Sequence, residues 1–247
     1  MKLAVVIPVY NHEHAIGTVV EGVRRHGLPV ILVDDASAPS CAAELDRLAH
    51  EVAGVDLVRL PRNGGKGAAV SAGMRRAQAR GFSHALQIDA DGQHDTADIP
   101  RFVAAAQAQP QAVINGCPRY DESVPTGRLV GRYITHVWVW INTLSLRIRD
   151  SMCGFRIYPL ASAMPVVDLP ALGQRMDFDT EIIVRMDWAG VPVVNLETPV
   201  RYPLDGVSHF QMWRDNLRIS AMHARLFFAM LPRAPRLLWR HLGGPRG

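Results

Sequence analysis

The chain of 247 residues has few cysteines and almost no lysine. Its three cysteines, Cys41, Cys117 and Cys153, are widely separated and odd in number, which argues against a disulfide framework and against a zinc site. Lys66 stands alone in a chain whose other cationic side chains, apart from Lys2, are arginines. Because 48% of the residues are hydrophobic, the chain can bury a full core, and we expect a folded protein of a reducing compartment.

Long apolar runs are also missing. No segment offers about 18 uncharged apolar residues, the least that a membrane-spanning helix requires. The longest candidate, residues 133–146, is interrupted by His136 and Asn142. Residues 1–8 lack the apolar stretch and the cleavage site of a signal peptide, so we interpret them as a core strand. The sequence predicts no spanning helix.

Positive charge is concentrated towards the carboxyl terminus. Residues 201–247 contain eight arginines and two aspartates, a local charge of +6 that suits an anionic surface. Residues 216–231 show helical spacing of apolar side chains, and residues 128–149 form a second helix-length stretch with two tryptophans. Such helices are typical of a membrane interface, with core helices carrying solvated arginines as the alternative. Aromatic side chains are not interleaved with the basic ones as in RNA-binding surfaces, so we expect no nucleic acid partner.

Strand-like and helix-like segments alternate through the first half of the chain. The β-branched runs are 3–9, 29–33, 56–60, 84–88 and 112–116. Helical spacing of apolar residues is found between them over 15–23, 45–52 and 69–77. We therefore expect an α/β fold with a mostly parallel central sheet and helices on both faces, followed by amphipathic carboxyl-terminal helices.

Four polar segments follow the ends of these strands, which is where ligands bind in open parallel sheets. They are Pro8-Val9-Tyr10-Asn11, Asp34-Asp35-Ala36-Ser37, Asn63-Gly64-Gly65-Lys66-Gly67 and Asp89-Ala90-Asp91-Gly92-Gln93-His94. In the last segment two carboxylates one residue apart leave the strand on the same side, and Gln93 adds a third oxygen, a set that suits a hard cation and a polyphosphate. An isolated D-x-D is more often a solvated turn, so this prediction depends on the other three segments.

The other segments are compatible with nucleotide recognition. Asp34 or Asp35 can accept hydrogen bonds from a base or ribose beside the aromatic face of Tyr10, with helix capping by these acids or by Ser37 as the alternative. Lys66 begins a predicted helix whose amino end favours anions. Its loop lacks the spacing of a Walker motif, and no G-x-G-x-x-G follows the first strand, which disfavours a dinucleotide-dependent oxidoreductase.

In this order, the four motifs resemble those of the family 2 glycosyltransferases with the GT-A fold, and within them the dolichyl-phosphate mannose and glucose synthase-like branch. The resemblance covers about the first 210 residues. It implies that the nucleotide-sugar is bound by Pro8, Tyr10, Asn11, Asp35, Lys66, Asp89, Ala90 and Arg119. It also implies a divalent cation, Mg²⁺ or Mn²⁺, held by Asp89, Asp91 and Gln93, which would stabilise the departing nucleoside diphosphate.

Two later segments extend the resemblance. Asp150-Ser151-Met152-Cys153-Gly154-Phe155-Arg156 is similar to the D-x-x-C-G-F-[KR] segment of dolichyl-phosphate glucosyltransferases, and Phe178-Asp179-Thr180-Glu181 is similar to their F-D-x-E. A late acid facing the sugar can take a proton from an acceptor hydroxyl, so we expect Asp179 as catalytic base, with Asp177 as the competitor. The alternative is that both acids merely begin a helix.

The chain also departs from this branch. His12 follows P-x-Y-N where the branch has glutamate, and residues 203–209 lack the arginine and the lysine of R-x-x-G-x-S-K. Residues 201–223 instead resemble bacterial transferases that accompany aryl polyene pigment pathways. Sugar and acceptor recognition are therefore expected to differ.

The expected protein is a metal-dependent, inverting glycosyltransferase that moves a sugar from a UDP- or GDP-sugar to polyprenyl phosphate or to a lipid or polyene hydroxyl. We expect a catalytic domain over 1–210 and a basic helical extension over 211–247 that contacts the membrane surface, with the protein lying in the cytoplasm at the inner face of the cytoplasmic membrane. One alternative is a sugar-nucleotide pyrophosphorylase, whose G-x-G-T-R opening is missing after residues 3–7. A second is a non-catalytic module that binds the membrane surface.

Overall fold

The structure is a computed structural model that describes residues 1–120, 126–200 and 212–241. The strands are β1 Leu3–Val9, β2 Val30–Asp34, β3 Val55–Arg59, β4 His84–Gln87, β5 Val113–Tyr120, β6 Arg156–Pro159 and β7 Val193–Val200. The helices are α1 Glu13–Arg24, α2 Pro39–Glu51, α3 Lys66–Ala79, α4 Ile99–Ala108, α5 Thr126–Thr143, α6 Leu160–Val167, α7 Phe178–Trp188, α8 Met212–Met230 and α9 Ala234–His241. The five predicted strands are confirmed, and β5 runs past its expected end at 116.

The described strands form one sheet in the order β3-β2-β1-β4-β6-β5-β7. β6 is antiparallel to both of its neighbours, and the other pairings are parallel. Because β6 runs in the opposite direction, Arg156 at its beginning lies beside Gln87 at the end of β4. The carboxyl ends of β1, β2, β4, β5 and β7 therefore share one edge with the beginning of β6, and the predicted mostly parallel sheet is confirmed.

Hydrophobic clusters lie on both faces of the sheet. Alternate residues of β1 serve opposite clusters, with Val5 in one and Val6 in the other, as the period of two in a strand requires. The Val5 cluster includes buried residues of α1, α2 and α4, whereas the Val6 cluster includes buried residues of α3, α6, α7 and α8. The expectation of helices on both faces is confirmed.

The second half of the chain differs more from expectation. β6, β7 and α6 were not predicted, nor was α4 in the first half of the chain, and α5 ends at Thr143 although the helix was expected to reach residue 149. Leu144 has a positive φ of 51°, and the amides of Leu144 and Ser145 donate to the carbonyls of Ile141 and Trp140. This left-handed ending closes the helix without the glycine that usually marks such a position.

α8 confirms the helix predicted over 216–231, and it exposes large hydrophobic side chains as well as burying others. Met222 and Leu226 are buried, whereas Trp213, Leu217 and Phe228 are exposed. Among the described residues, no helix has both the length and the apolar character to cross a membrane. The predicted boundary at 210 and 211 and the departure at 203–209 lie outside the described residues, so the division into two domains stays a prediction.

Candidate functional site

The loops after β1 and β2 interlock at the carboxyl edge of the sheet. Asn11 adopts a left-handed conformation (φ 56°), its amide donates to Ser37 Oγ, and its side-chain oxygen accepts from the amide of Ala38, the residue before α2. Ser37 makes no capping hydrogen bond to α2, so the capping alternative is wrong for this residue. Asn11 therefore positions the loop that carries Asp35.

The two adjacent acids after β2 have different surroundings. Asp34 accepts from the amide of Ser37 and from Arg59 Nε, so it supports the loop and the neighbouring strand. Asp35 accepts from the amides of Gly64 and Gly65 at 2.7 and 2.8 Å. Burial raises the pKa of Asp35, while these two hydrogen bonds act in the opposite direction. Asp35 thus fastens the glycine-lysine loop to the end of β2.

Lys66 is the centre of the site. Its Nζ lies 2.8 Å from both carboxylate oxygens of Asp89 and 2.7 Å from Oδ2 of Asp179. Burial by itself would lower the pKa of Lys66, but the charges of Asp179 and Asp89 outweigh it, and the pKa lies above its usual value. Lys66 begins α3 as predicted, and its ammonium joins the D-x-D turn to the candidate base.

The D-x-D turn is closely packed. A Cβ at Gly154 would overlap the Asp89 carboxylate, so the glycine of the D-x-x-C-G-F segment makes room for that side chain. Burial would raise the pKa of Asp89, but Lys66 and His94 lower it well below its usual range. Asp91 lies close by, accepts from the amide of Gln93 at 3.0 Å, and has a pKa raised by burial and by the charge of Asp89.

The donor set of this turn fits a hard divalent cation that shares its coordination with a phosphate ligand. Within the described ranges, no group of three histidine, cysteine, aspartate or glutamate side chains is placed to enclose a metal by itself. Mg²⁺ is commonly held by one or two carboxylates plus substrate phosphates and water. Asp91, with Asp89 and the half-buried Gln93 beside it, matches that incomplete set.

The two candidate bases have different partners. Asp179 is buried, its Oδ1 accepts from Gln87 Nε2 at 2.8 Å, and its Oδ2 is paired with Lys66. Asp177 is also buried, and its Oδ1 accepts from the amide of Arg175. Asp177 is the N-cap residue of α7 and Asp179 lies in its first turn, so both acids do begin a helix, although the Asp177 side chain makes no capping hydrogen bond. The structure brings Asp179, and not Asp177, into direct contact with the Lys66 cluster.

A buried polar network below the site escaped the sequence analysis. Arg156 is fully buried and donates to the carbonyl of Asp179, to Asn115 Oδ1 and to Tyr158 Oη. Tyr158 in turn donates to Gln87 Oε1, which completes the support of Asp179. The sequence feature that could have indicated this network is a polar residue inside an otherwise apolar strand, because Gln87 and Asn115 both occupy such positions.

The remaining predicted ligands occupy several kinds of position. Pro8 is buried in β1 and Ala90 is buried in a hydrophobic cluster, whereas Tyr10 is half-buried beyond the strand end. Glu13 follows His12, the residue at which the chain differs from the family motif; it is the first residue of α1 and accepts from Ser40 Oγ. The roles of Pro8, Tyr10 and Ala90 in binding a nucleotide-sugar stay predictions.

Arg119 lines a cleft of about 710 Å³ at the same edge. The other lining residues are Cys117, Pro118, Arg132, Tyr133, Ile134, His136, Arg149, Asp150 and Glu197. His94 bridges to Val200, which is paired with Tyr120, so the D-x-D turn lies next to this end of β5. Arg132 binds both oxygens of Asp150 at 2.7 Å, and His136 lies 3.3 Å from the same carboxylate.

The family model described as "Glycosyl transferase family 2" matches residues 4–163. Undecaprenyl-phosphate mannosyltransferase of Micrococcus luteus is 27% identical over 213 residues, which are 82% of this chain and 84% of that protein. Polyprenol monophosphomannose synthase of Mycolicibacterium smegmatis is 28% identical over 235 residues, 88% of this chain and 83% of that protein. Glucosyl-3-phosphoglycerate synthase of Mycobacterium tuberculosis, solved with Mn²⁺ and UDP-glucose, shares the fold with a TM-score of 0.66 at 16% identity over 94% of this chain and 78% of that one. The predicted GT-A arrangement is thereby confirmed.

Proposed function

This chain belongs to glycosyl transferase family 2 and is a glycosyltransferase, and from that premise we propose that it transfers a sugar, with inversion, from a UDP- or GDP-sugar to polyprenyl phosphate. The observation that carries the proposal is the contact of the partly buried Lys66 with both Asp89 and Asp179, at the sheet edge next to a wide cleft lined by three arginines. Family membership leaves the pyrophosphorylase and the non-catalytic module without support.

The donor would lie across the ends of β1, β2 and β4. Asp35 and Tyr10 would face the nucleoside, and Asn11 would hold the loop after β2 that carries Asp35. Asp91, Asp89 and Gln93 would hold a divalent cation against the diphosphate. When bound, that cation supplies Lewis-acid stabilisation of the departing nucleoside diphosphate. Lys66 keeps the carboxylates of Asp89 and Asp179 together in a fixed geometry, which favours reaction without reorganisation of the site.

The acceptor would occupy the Arg119 cleft, and this proposal differs from the sequence prediction, which assigned Arg119 to the nucleotide-sugar. Exposed Tyr133 and Ile134 offer an apolar wall for an isoprenoid chain, and exposed Arg119 offers a cation for its phosphate. A phosphate oxygen is already ionised near neutral pH, so it needs no strong base. For a lipid hydroxyl, Asp179 would have to accept a proton while both of its oxygens are hydrogen-bonded, and this burden favours the phosphate as acceptor.

The carboxyl-terminal helices would place the protein at the inner face of the cytoplasmic membrane. Trp213, Leu217 and Phe228 on α8 and Trp239 on α9 are exposed large hydrophobic side chains on an arginine-rich part of the chain. Such a surface matches an anionic lipid interface. We expect sedimentation with vesicles of anionic phospholipid that weakens as salt rises, and no sedimentation at low salt would contradict this part of the proposal.

The function is tested by a donor panel. UDP- and GDP-linked hexoses are incubated with the purified protein and Mn²⁺, with polyprenyl phosphate, a long-chain alcohol or no acceptor. We expect one donor to give a glycosylated polyprenyl phosphate and free nucleoside diphosphate, with loss of both products when the cation is chelated. Product on the alcohol alone would move the acceptor to a hydroxyl, and no product with any donor would refute the proposal.

A further inference from the structure

Glu181 is fully buried in the first turn of α7, and its carboxylate joins three parts of the molecule. Oε1 accepts two hydrogen bonds from Arg185 on the same helix, at 2.6 and 2.9 Å. Oε2 accepts from the amide of Gly173 in the loop before α7 and from Nη2 of Arg225 on α8, both at 3.0 Å. A carboxyl-terminal helix therefore supplies one of the two cations that balance this buried acid.

The loop that Glu181 holds lies directly against the glycine-lysine loop. The amide of Ala68 donates to the carbonyl of Gln174 at 3.0 Å, and Arg175 donates to Asn63 Oδ1 at 3.1 Å. A Cβ at Gly67 would lie only 2.8 Å from the Gly173 carbonyl oxygen, so no free space separates the two loops. A displacement of Gly173 would therefore reach Lys66 through backbone contacts.

We propose that Glu181 and Arg225 are positioning residues for the nucleotide-sugar site. Through Gly173 they hold the 168–177 loop against the glycine-lysine loop, so the affinity for the donor depends on the docking of α8. The inference rests on the proposed function, since it takes Lys66 and Asp89 as part of the donor site. The proposal gives Glu181 and Arg225 no direct contact with the donor, since the Glu181 carboxylate is fully buried among Gly173, Arg185 and Arg225.

The physical reason is the cost of an incompletely paired buried carboxylate. Without Arg225, Arg185 still binds Oε1, but Oε2 keeps only the Gly173 amide as a partner, and the carboxylate is expected to shift towards its remaining cation. The Arg225 side chain is 47% exposed, so its replacement by glutamine opens no cavity. We therefore expect the substitution to displace the 168–177 loop, and with it the glycine-lysine loop, and to leave the fold intact.

Arg240 provides a matched control. It is also an arginine of the carboxyl-terminal helices bound to a buried acid of α7, because its Nη2 lies 3.0 Å from Oδ2 of Asp187. Asp187 stands at the opposite end of α7 from Glu181. Arg240→Gln therefore removes a contact between α9 and α7 and leaves the contact of α8 with Glu181, and through it the Gly173 contact, in place.

The test measures the dissociation constants of UDP and GDP in the presence of Mn²⁺ by calorimetry, together with melting temperatures. We expect Arg225→Gln to weaken nucleotide binding by about fivefold to tenfold, Arg225→Lys to restore most of the affinity, and Arg240→Gln to lower the melting temperature only. Unchanged affinity in Arg225→Gln, or equal weakening in Arg240→Gln, would overturn the inference. If the wild-type protein binds neither nucleotide, the proposed function fails and the inference fails with it.

Discussion

The proposed donor side and the proposed acceptor side of the molecule differ in how far their charged side chains are exposed to solvent. On the donor side, formed by β1 to β4 and their loops, Lys66 is enclosed by two acids at 2.8 Å or less. On the acceptor side, formed by the cleft of β5 and α5, the Arg149–Glu197 pair is more than half exposed and Arg119 is exposed, although the Arg132–Asp150 pair at the same cleft is largely buried. Buried pairs are costly to break, whereas exposed pairs contribute little to stability.

This contrast suits the two substrates. A diphosphate leaving group is best stabilised by protein charges that are already in place before the reaction, because charged groups that must first reorganise stabilise a transition state poorly. A long flexible acceptor needs a wide apolar surface with a cation at one end. Substitutions on the donor side should therefore reduce the rate strongly, whereas substitutions on the acceptor side should mainly change the acceptor KM.

The largest effect is expected for Lys66→Met. Removal of the ammonium leaves Asp89 and Asp179 close together without their shared cation, so one of them is expected to take up a proton or move. We expect kcat to fall about a hundredfold or more in single-turnover assays with saturating donor. Lys2→Met is the control, since Lys2 is exposed and is the only other lysine. A similar loss of kcat in both variants would contradict the specific role of Lys66 on the donor side.

Gly154→Ala should have the next largest effect. The new methyl group would overlap the Asp89 carboxylate and displace it from Lys66. We expect kcat/KM for the donor to fall about tenfold to a hundredfold. Gly131→Ala, in α5, introduces the same group where no atom lies within 4 Å, and full activity is expected there. Normal activity in Gly154→Ala would show that the tight packing around Asp89 is not required.

Arg119→Ala tests the acceptor side. Because Arg119 is exposed in the cleft, its loss should raise the KM for polyprenyl phosphate about tenfold and leave the nucleotide dissociation constant unchanged. Arg101→Ala, which removes an exposed arginine of α4, serves as the control. A change in nucleotide affinity with an unchanged acceptor KM would assign Arg119 to the donor instead.

The smallest effect concerns stability. Burial between α5 and α8 lowers the pKa of His223 to about 4, and its Nδ1 lies 3.3 Å from Asn142 Nδ2. The folded protein keeps His223 neutral while the unfolded chain binds a proton below about pH 6.5, so stability should fall as the pH drops from about 6.5 towards 4. Between pH 7 and pH 5 we expect urea unfolding to show a loss of about 1 to 2 kcal/mol that is absent in His223→Phe. An equal loss in both proteins would contradict this assignment.

The two sides also differ in how far sequence predicts them. On the donor side, the strand ends and the beginning of α3 at Lys66 follow from local patterns, because parallel strands must end at a common edge. The contact of Lys66 with Asp179 joins residues far apart in the chain and follows from no local pattern. On the other side, β6 is four residues long and contains a buried arginine, so its sequence does not resemble a strand.

The end of α5 is a second feature that the sequence pattern does not predict. The expected helix over 128–149 stops at Thr143 because Leu144 adopts a left-handed conformation that leucine seldom takes. Trp140 Nε1 then donates to the carbonyl of Ile148, which fixes the chain that follows the helix. The periodicity of apolar residues could not indicate this turn, because the turn depends on one backbone conformation and on a side-chain hydrogen bond that periodicity does not encode.

The central claim is that the turn after β4 stabilises the departing nucleoside diphosphate through a divalent cation. Its most direct test is the release of UDP or GDP with polyprenyl phosphate and Mn²⁺ by the wild-type protein, Asp91→Asn and Asp95→Asn, the last being an exposed acid nearby whose capping role asparagine can fill. The account predicts that Asp91→Asn loses about a hundredfold in rate and that Asp95→Asn retains the wild-type rate. Unchanged release by Asp91→Asn, or wild-type release that persists with a chelator, would contradict it.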